Sequence, residues 1–237
     1  MGLGNGVKLT WFGHATWMVE SAAGTRVLVD PWMTGNPSTP ESLHDPGKVD
    51  LIVLTHGHND HTGDLQRIAD ATGAPVVALF ELAGFFESKG VANMVGMGKG
   101  GTTEVAGIRV TMVDAHHSSS FEDNGQVIYT GEPAGLILTL EDGYRIYVAG
   151  DTCVFGDMAL IGRLYKPDVA VLPIGDFFTM GPFEAAEAIR LLGVTKVVPS
   201  HYATFPLLTG TPEALRREAS DVAGLEVLDV EPGGTVS

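Results

Sequence analysis

Residues 55–64 read Thr-His-Gly-His-Asn-Asp-His-Thr-Gly-Asp, which places His56, His58, Asp60 and His61 within six residues of chain. Imidazole nitrogens and carboxylate oxygens are the usual ligands of zinc and similar ions. His56 and His58 stand two apart, so in an extended segment their side chains leave the backbone in the same direction. Asp60 and His61 can turn toward a second position as a helix begins. Four such groups are more than one tetrahedral ion takes from one short loop, and the spacing suits two neighbouring ions. A merely solvated loop is a poor account of three histidines bounded by Gly57 and Gly63.

The elements that must position this loop are legible around it. It follows Leu51 to Leu54, a short apolar run that fits a buried strand. Residues 7–12, 15–21 and 25–30 read as strands, rich in Val, Leu, Thr and Trp with turn residues between them. A helix is expected from near Gly63 to about Ala71, then a strand over 75–79, a helix over 80–89, and strands near 92–95, 101–106 and 108–115. The pattern recurs with strands at 135–141 and 144–149 around Glu141-Asp142-Gly143 and a helix over 156–165. A buried strand at Val169 to Leu172 follows. Pro182 stands near the start of the next helix, a favoured place for proline, and Gly193 ends it. Strand 195–199, helix 212–221 and strand 225–228 complete the chain. There is no repeat, low-complexity tract or long linker, so residues 1–237 are read as one domain. Two strand-rich stretches, each passing into alternating helix and strand, would bury their strands as two facing sheets with helices outside. That is an α/β fold of the four-layer αββα type.

The HxHxDH pattern at 56–61 resembles the signature of the metallo-β-lactamase superfamily, and later segments arrive in the order that the resemblance implies. AHHSS at 115–119 is similar to the segment that supplies a third histidine, VAGDT at 148–152 to the strand end with a bridging aspartate, and VPSHY at 198–202 to the last histidine. WFGHAT at 11–16, PIGDFFTMGP at 173–182 and HYATFP at 201–206 resemble a branch of small metal-dependent hydrolases related to ascorbate-6-phosphate lactonase. The resemblance implies that His56, His58 and His117 bind one ion, that Asp60, His61 and His201 bind a second, and that Asp151 bridges both. His116 could replace His117; His117 is preferred because it stands two residues after Ala115. Zinc is the first expectation for the two divalent ions, and manganese, iron or nickel could use the same ligands. A redox di-iron role is disfavoured, because His58 stands where such relatives carry glutamate.

Four further residues are candidates near the site. His14 could contact substrate or orient a ligand, or be a turn histidine satisfied by backbone. Asp176 could hold a ligating histidine through its second nitrogen, as such ligands usually require. Tyr202 could donate to a developing oxyanion or simply pack. Thr179 could cap the helix that starts near Pro182. Ser118, Ser119 and Ser120 are not needed as nucleophiles where an ion activates water, and Cys153 reads as a small buried residue. GMGKGG at 96–101 lacks the spacing of a phosphate loop and reads as a turn.

Composition narrows the chemistry. Apolar residues are 44% of the 237, and charged residues are 18%, below the roughly 25% of an average domain, which excludes a disordered chain. No apolar run approaches the roughly 20 residues that span a bilayer, and the first residues lack a signal-peptide pattern, so a cytoplasmic enzyme is expected with no membrane partner. A single cysteine rules out an internal disulfide. With 14 Lys and Arg against 29 Asp and Glu the net charge is −15, which repels nucleic acid at long range. Two dications less Asp60, Asp151 and a shared hydroxide leave the cluster near +1, which suits a carbonyl or one phosphate group better than a polyanion. The expected function is dinuclear hydrolysis of a small ester, lactone or phosphorylated lactone by a hydroxide shared between the ions, with Asp60 and Asp151 at the reacting centre. The alternatives are a phosphodiesterase or nuclease and a non-catalytic metal-binding scaffold. A small-molecule substrate is the expected partner, and a homo-oligomer is compatible with the resemblance.

Overall fold

The computed structural model describes residues 2–237. The first half supplies strands β1 (Lys8–Gly13), β2 (Thr16–Glu20), β3 (Arg26–Val29), β4 (Leu51–Val53), β5 (Val76–Leu79) and β6 (Met94–Met97), with helices α1 (Asn59–Thr62), α2 (Leu65–Thr72) and α3 (Phe80–Ser88). The second half supplies β7 (Thr102–Val105), β8 (Ile108–Asp114), β9 (Ser120–Asp123), β10 (Gln126–Tyr129), β11 (Ala134–Thr139), β12 (Arg145–Val148), β13 (Val169–Pro173), β14 (Lys196–Ser200), β15 (Glu226–Val227) and β16 (Thr235–Val236). Its helices are α4 (Met158–Tyr165), α5 (Pro182–Leu192) and α6 (Pro212–Glu218). One sheet runs β16-β1-β2-β3-β4-β5-β6 and the other β15-β14-β13-β12-β11-β8-β7. Each begins as an antiparallel meander and becomes parallel, through β3-β4-β5-β6 in one and β12-β13-β14-β15 in the other.

Side-chain alternation explains the layering. Along β11 and β12, Leu136, Leu138, Ile146 and Val148 join the core between the sheets, where they face Leu9, Val19, Val27 and Leu51 on the inner face of the first sheet. Their neighbours Ile137 and Tyr147 face the other way and pack with Ile161 of α4, Ile189 of α5 and Leu215 of α6. Strands buried on both faces read as continuous apolar runs rather than as alternation, as Val169–Pro173 does. On the far side Leu65, Ile68, Leu82 and Phe86 of α2 and α3 close the first sheet. The expected αββα sandwich is therefore present. Among the described residues no helix is long and apolar enough to cross a membrane.

Three details depart from the expectation. The helix expected near 63–71 is α2, which starts after Asp64, and an unexpected single turn, α1, precedes it inside the metal motif. Helix α6 ends at Glu218, short of 221. The segment 120–129, left unassigned by sequence, is a hairpin of β9 and β10. Its turn is Asn124-Gly125, both with positive φ (51° and 79°), the geometry of the tight hairpin turn that Asn-Gly favours.

Asp64 fixes the junction between α1 and α2. Its buried carboxylate accepts from the Met33 and Thr34 amides (2.6 and 2.8 Å), the Thr34 hydroxyl (2.6 Å) and Arg67 Nε (2.9 Å). Burial pulls its pKa upward, but those donors outweigh burial and hold it below the usual carboxylate value. A depressed folded pKa contributes stability that is fully present above the unfolded value, near 3.9, and is lost as pH falls through the folded one. Asp64→Asn should therefore lower unfolding free energy by about 1.5–3 kcal/mol at neutral pH, and denaturant melts should show the gap to wild type narrowing below about pH 4. A gap that stays constant into acid would show that the charge contributes nothing.

Candidate metal centre

The ends of the parallel strands converge on one edge of the sandwich, where ligands gather on sheets of this kind. Asp30 follows β3, Thr55 and His56 follow β4, Asp151 follows β12 and His201 follows β14. The chain bends sharply there: His14, Asp30 and His201 all have positive φ (54°, 44° and 53°). Such strain is tolerated where surrounding contacts over-determine it. Two glycines are required by close approach. A Cβ on Gly57 would lie 2.1 Å from Thr130 Oγ1, and one on Gly150, at φ +63°, would lie 2.8 Å from Thr55 Cβ.

Besides Asp30 with His56 and His61, the polar groups fall into two sets. His56, His58 and His117 each offer a ligand atom within 4.8 Å of the others, and so do His14, Asp60, His61 and His201. His56 Nε2 and His58 Nδ1 face each other at 2.9 Å. Asp151 Oδ2 lies among both sets, 3.0 Å from His201 Nε2, 3.3 Å from His61 Nε2, 3.7 Å from His117 Nε2 and 4.0 Å from His56 Nε2. Asp151 Oδ1, His61 Nε2 and His201 Nδ1 are buried without a hydrogen-bond partner. Unpaired buried polar atoms are costly, and converging lone pairs on imidazole and carboxylate fit divalent cations. The residues expected from sequence are thus brought together, and His14 joins them more closely than expected.

Asp30 is the member of the cluster that sequence reasoning missed. Its carboxylate, 1% exposed, accepts from His61 Nδ1 (2.9 Å), the Thr55 amide (2.8 Å) and the Thr55 hydroxyl (2.6 Å). With Nδ1 of His61 donating to Asp30, Nε2 is left to face Asp151. The Thr55 hydroxyl, already donating to Asp30, accepts from His56 Nδ1 (3.0 Å), which frees Nε2 of His56 in the same way. The signal was an aspartate closing an apolar strand, Arg26–Val29, directly before Pro31-Trp32.

Charge within the cluster is polarised. Burial and then His61 lower the His56 pKa, and burial and then His117 lower that of His58. Burial also lowers His117. Burial lifts Asp151, but His201 and His61 outweigh it and hold the carboxyl well below its usual range. Burial would lower His61, but Asp151 and Asp30 hold it well above. His14, fully buried, is pushed down to about 4 by burial and by His201, so it is neutral at pH 7. Its Nε2 then donates to Asp60 Oδ2 (3.2 Å) and its Nδ1 accepts from Thr204 Oγ1 (2.9 Å). Of the three roles expected for it, orienting a ligand is the one the contacts favour. Burial raises Asp60, but His14 and His61 outweigh it and keep Asp60 well below the usual range.

Other candidates lie elsewhere. His116 is half-exposed, pairs with Asp114 (3.3 Å) and stacks on Phe155, so His117 alone of the pair enters the cluster. Asp176 is exposed and accepts from the Phe177 amide (2.7 Å) in a turn of positive φ; it holds no histidine. Tyr202 stacks on Trp11 at 4.9 Å, and the charges acting on its hydroxyl are Asp229, Glu231 and Glu213; it packs. Thr179 does not cap α5. That place belongs to Gly181, whose amide donates to Glu184 (3.1 Å). Cys153 is exposed rather than buried. Ser119 Oγ accepts from the Gly57 amide (3.1 Å), a structural role.

Over residues 25–202 the chain matches the β-lactamase superfamily domain. It is 49% identical over 230 residues to the UPF0173 metal-dependent hydrolase of Rubrobacter xylanophilus, covering 96% of this chain and 95% of that one. Against the relative of the same description in Herpetosiphon aurantiacus the identity is 47% over 229 residues, 95% of each. Among solved structures, Igni18, a metallo hydrolase of the archaeon Ignicoccus hospitalis, superposes with a TM-score of 0.86 at 38% identity, over 97% of both chains. Fold and cluster together define a metal-dependent hydrolase with the metallo-β-lactamase fold. The chain belongs to the β-lactamase superfamily and, within it, to the UPF0173 metal-dependent hydrolases.

Carboxylates that orient ligating histidines typically affect metal affinity by about 10–100-fold. Asp30→Asn should weaken zinc binding by about that factor, read by competition with a chromophoric chelator at fixed pH. Unchanged affinity would leave Asp30 a purely structural contact.

Proposed function

We propose that the chain holds two divalent ions and uses them to hydrolyse a small carboxylic ester or lactone. The observation that carries this reading is the shared position of Asp151 Oδ2, within 4.0 Å of His56, His61, His117 and His201. His56, His58 and His117 would hold one ion; Asp60, His61 and His201 the other; Asp151 would serve both. The nitrogen-rich donor set suits zinc first, with manganese, iron or nickel as alternatives. Two such ions would lower the proton affinity of a water and stabilise charge developing on a substrate oxygen.

The chain's own residues supply the rest. His14, held by Thr204, orients Asp60. Asp60 lines the open groove beside the cluster and stays ionised, so it can accept a hydrogen bond from a water and fix its direction. Thr55 and Asp30 hold the rings of His56 and His61 in one tautomer. Trp32 and Phe205, 6.0 Å apart, shield one side of the groove from water. The net charge of −15 opposes the nuclease alternative, because long-range repulsion of a polyanion is not offset by a basic surface.

Zinc-loaded protein should hydrolyse members of a lactone and aryl-ester panel faster than bis-p-nitrophenyl phosphate, and Asp60→Ala should lose about 10²-fold or more in kcat/KM, as removal of a side chain that positions the attacking water and its proton does. Preference for the phosphodiester would favour the nuclease alternative. Full activity in Asp60→Ala would remove that residue from the chemistry.

A further inference from the structure

The groove that opens beside the cluster has a volume of about 540 Å³, and His58 and Asp60 form its floor. One wall is aromatic. Trp32 and Phe205 lie 6.0 Å apart, and both rings also pack edge-on against His14, at 5.2 and 5.6 Å. The β9-β10 hairpin contributes Ser120, Glu122 and Val127 to the lining. Val127 is 75% exposed, an apolar side chain facing the open groove.

The hairpin is not free to swing. Asn59 Nδ2 donates to the Glu122 carbonyl (3.1 Å), and the Glu122 amide donates to Asn59 Oδ1 (2.8 Å). This two-bond clamp comes from inside the metal motif, between His58 and Asp60, and it fixes the backbone of Glu122 relative to the cluster. Glu122 itself is exposed and no cation engages its carboxylate. The adjacent Asp123, by contrast, is paired with Lys89. The groove lining includes two carboxylates, Asp60 and Glu122, and neither lysine nor arginine.

Resting on the hydrolytic reading above, we propose that this groove selects a substrate with an apolar or aromatic body and a neutral or cationic distal group, and that Glu122 and the Trp32–Phe205 wall are its specificity determinants. An aromatic ring packs on the Trp32–Phe205 wall and Val127, and a distal cation gains from Glu122 and from the faces of the aromatic rings. A distal carboxylate or phosphate meets Glu122 and the overall charge of −15 with no compensating side chain in the lining. This narrows the expected range: a phosphorylated lactone suits the groove less well than an uncharged or amine-bearing ester.

The test uses zinc-loaded full-length protein and three 4-nitrophenyl benzoates carrying a para-carboxylate, para-methyl or para-trimethylammonium group. Wild-type kcat/KM, corrected for spontaneous hydrolysis, should rank trimethylammonium above methyl above carboxylate. Intrinsic reactivity cancels in the ratio of wild type to variant, so Glu122→Lys should shift the cation-to-anion ratio toward the anion by about tenfold, and less in high salt. Glu122→Gln should move it part of the way. Binding of the matching benzamides, followed by tryptophan fluorescence with Trp32→Phe as control, reads recognition without turnover. The same charge order in binding, with no ester cleaved, would sustain the selectivity and sink the ester reading. Carboxylate preference, or a cation-to-anion ratio indifferent to Glu122→Lys in both assays, would overturn the proposal.

Discussion

A carboxylate that is 3% exposed must be paired, and Asp151 sets the terms for the rest of the molecule. An isolated buried charge is expensive, and removing one partner of a buried pair typically costs about 3–5 kcal/mol. The chain meets this by bringing four imidazoles to one oxygen from three separate segments: His56 and His61 from the metal motif, His117, and His201. No single element could supply them, so the site needs both sheets. The strand ends, the tight approach at Gly57 and Gly150, and the positive φ of His14, Asp30 and His201 all follow from crowding these groups around one point.

The same region ties the sheets together. The carbonyl of His14, in the turn between β1 and β2, accepts from Trp11 Nε1 (2.9 Å), the His201 amide (3.0 Å) and Ser200 Oγ (3.1 Å). Trp17 Nε1 in turn donates to Ser200 Oγ (3.0 Å). One backbone oxygen thus links the first sheet to the end of β14 in the second, next to a cluster member. Stability and function share these contacts: the bonds that close the sandwich also fix where His14 and His201 stand. Asp64 does comparable service on the other side, holding the loop that presents Trp32.

Much of this was legible in the sequence, for identifiable reasons. Apolar runs such as Leu51–Leu54 and Val169–Leu172 mark buried strands wherever both faces are covered, and His56–His61 is dense enough to declare a metal site by composition alone. His117, Asp151 and His201 were found through the family resemblance, since a lone histidine or aspartate carries little information. Asp30 was missed because a single carboxylate at a strand end looks like any turn aspartate until the fold brings His61 to it. The β9-β10 hairpin was missed although Asn124-Gly125 announces it, because its exposed strands lack the apolar alternation that marks half-buried ones. Asp176 failed for the converse reason: proximity in a motif is not proximity in space, and its side chain turns into its own loop, whereas Tyr202 takes the packing role that the sequence left open, stacked on Trp11.

The central claim is that Asp151 is shared by two ions. Zinc-edge anomalous diffraction from crystals of the zinc-loaded protein tests it most directly. Two peaks are expected, one among His56, His58 and His117 and the other among Asp60, His61 and His201, with an Asp151 carboxylate oxygen within ligand distance of both. A single peak under metal-replete conditions, or two peaks of which only one is touched by Asp151, would contradict it.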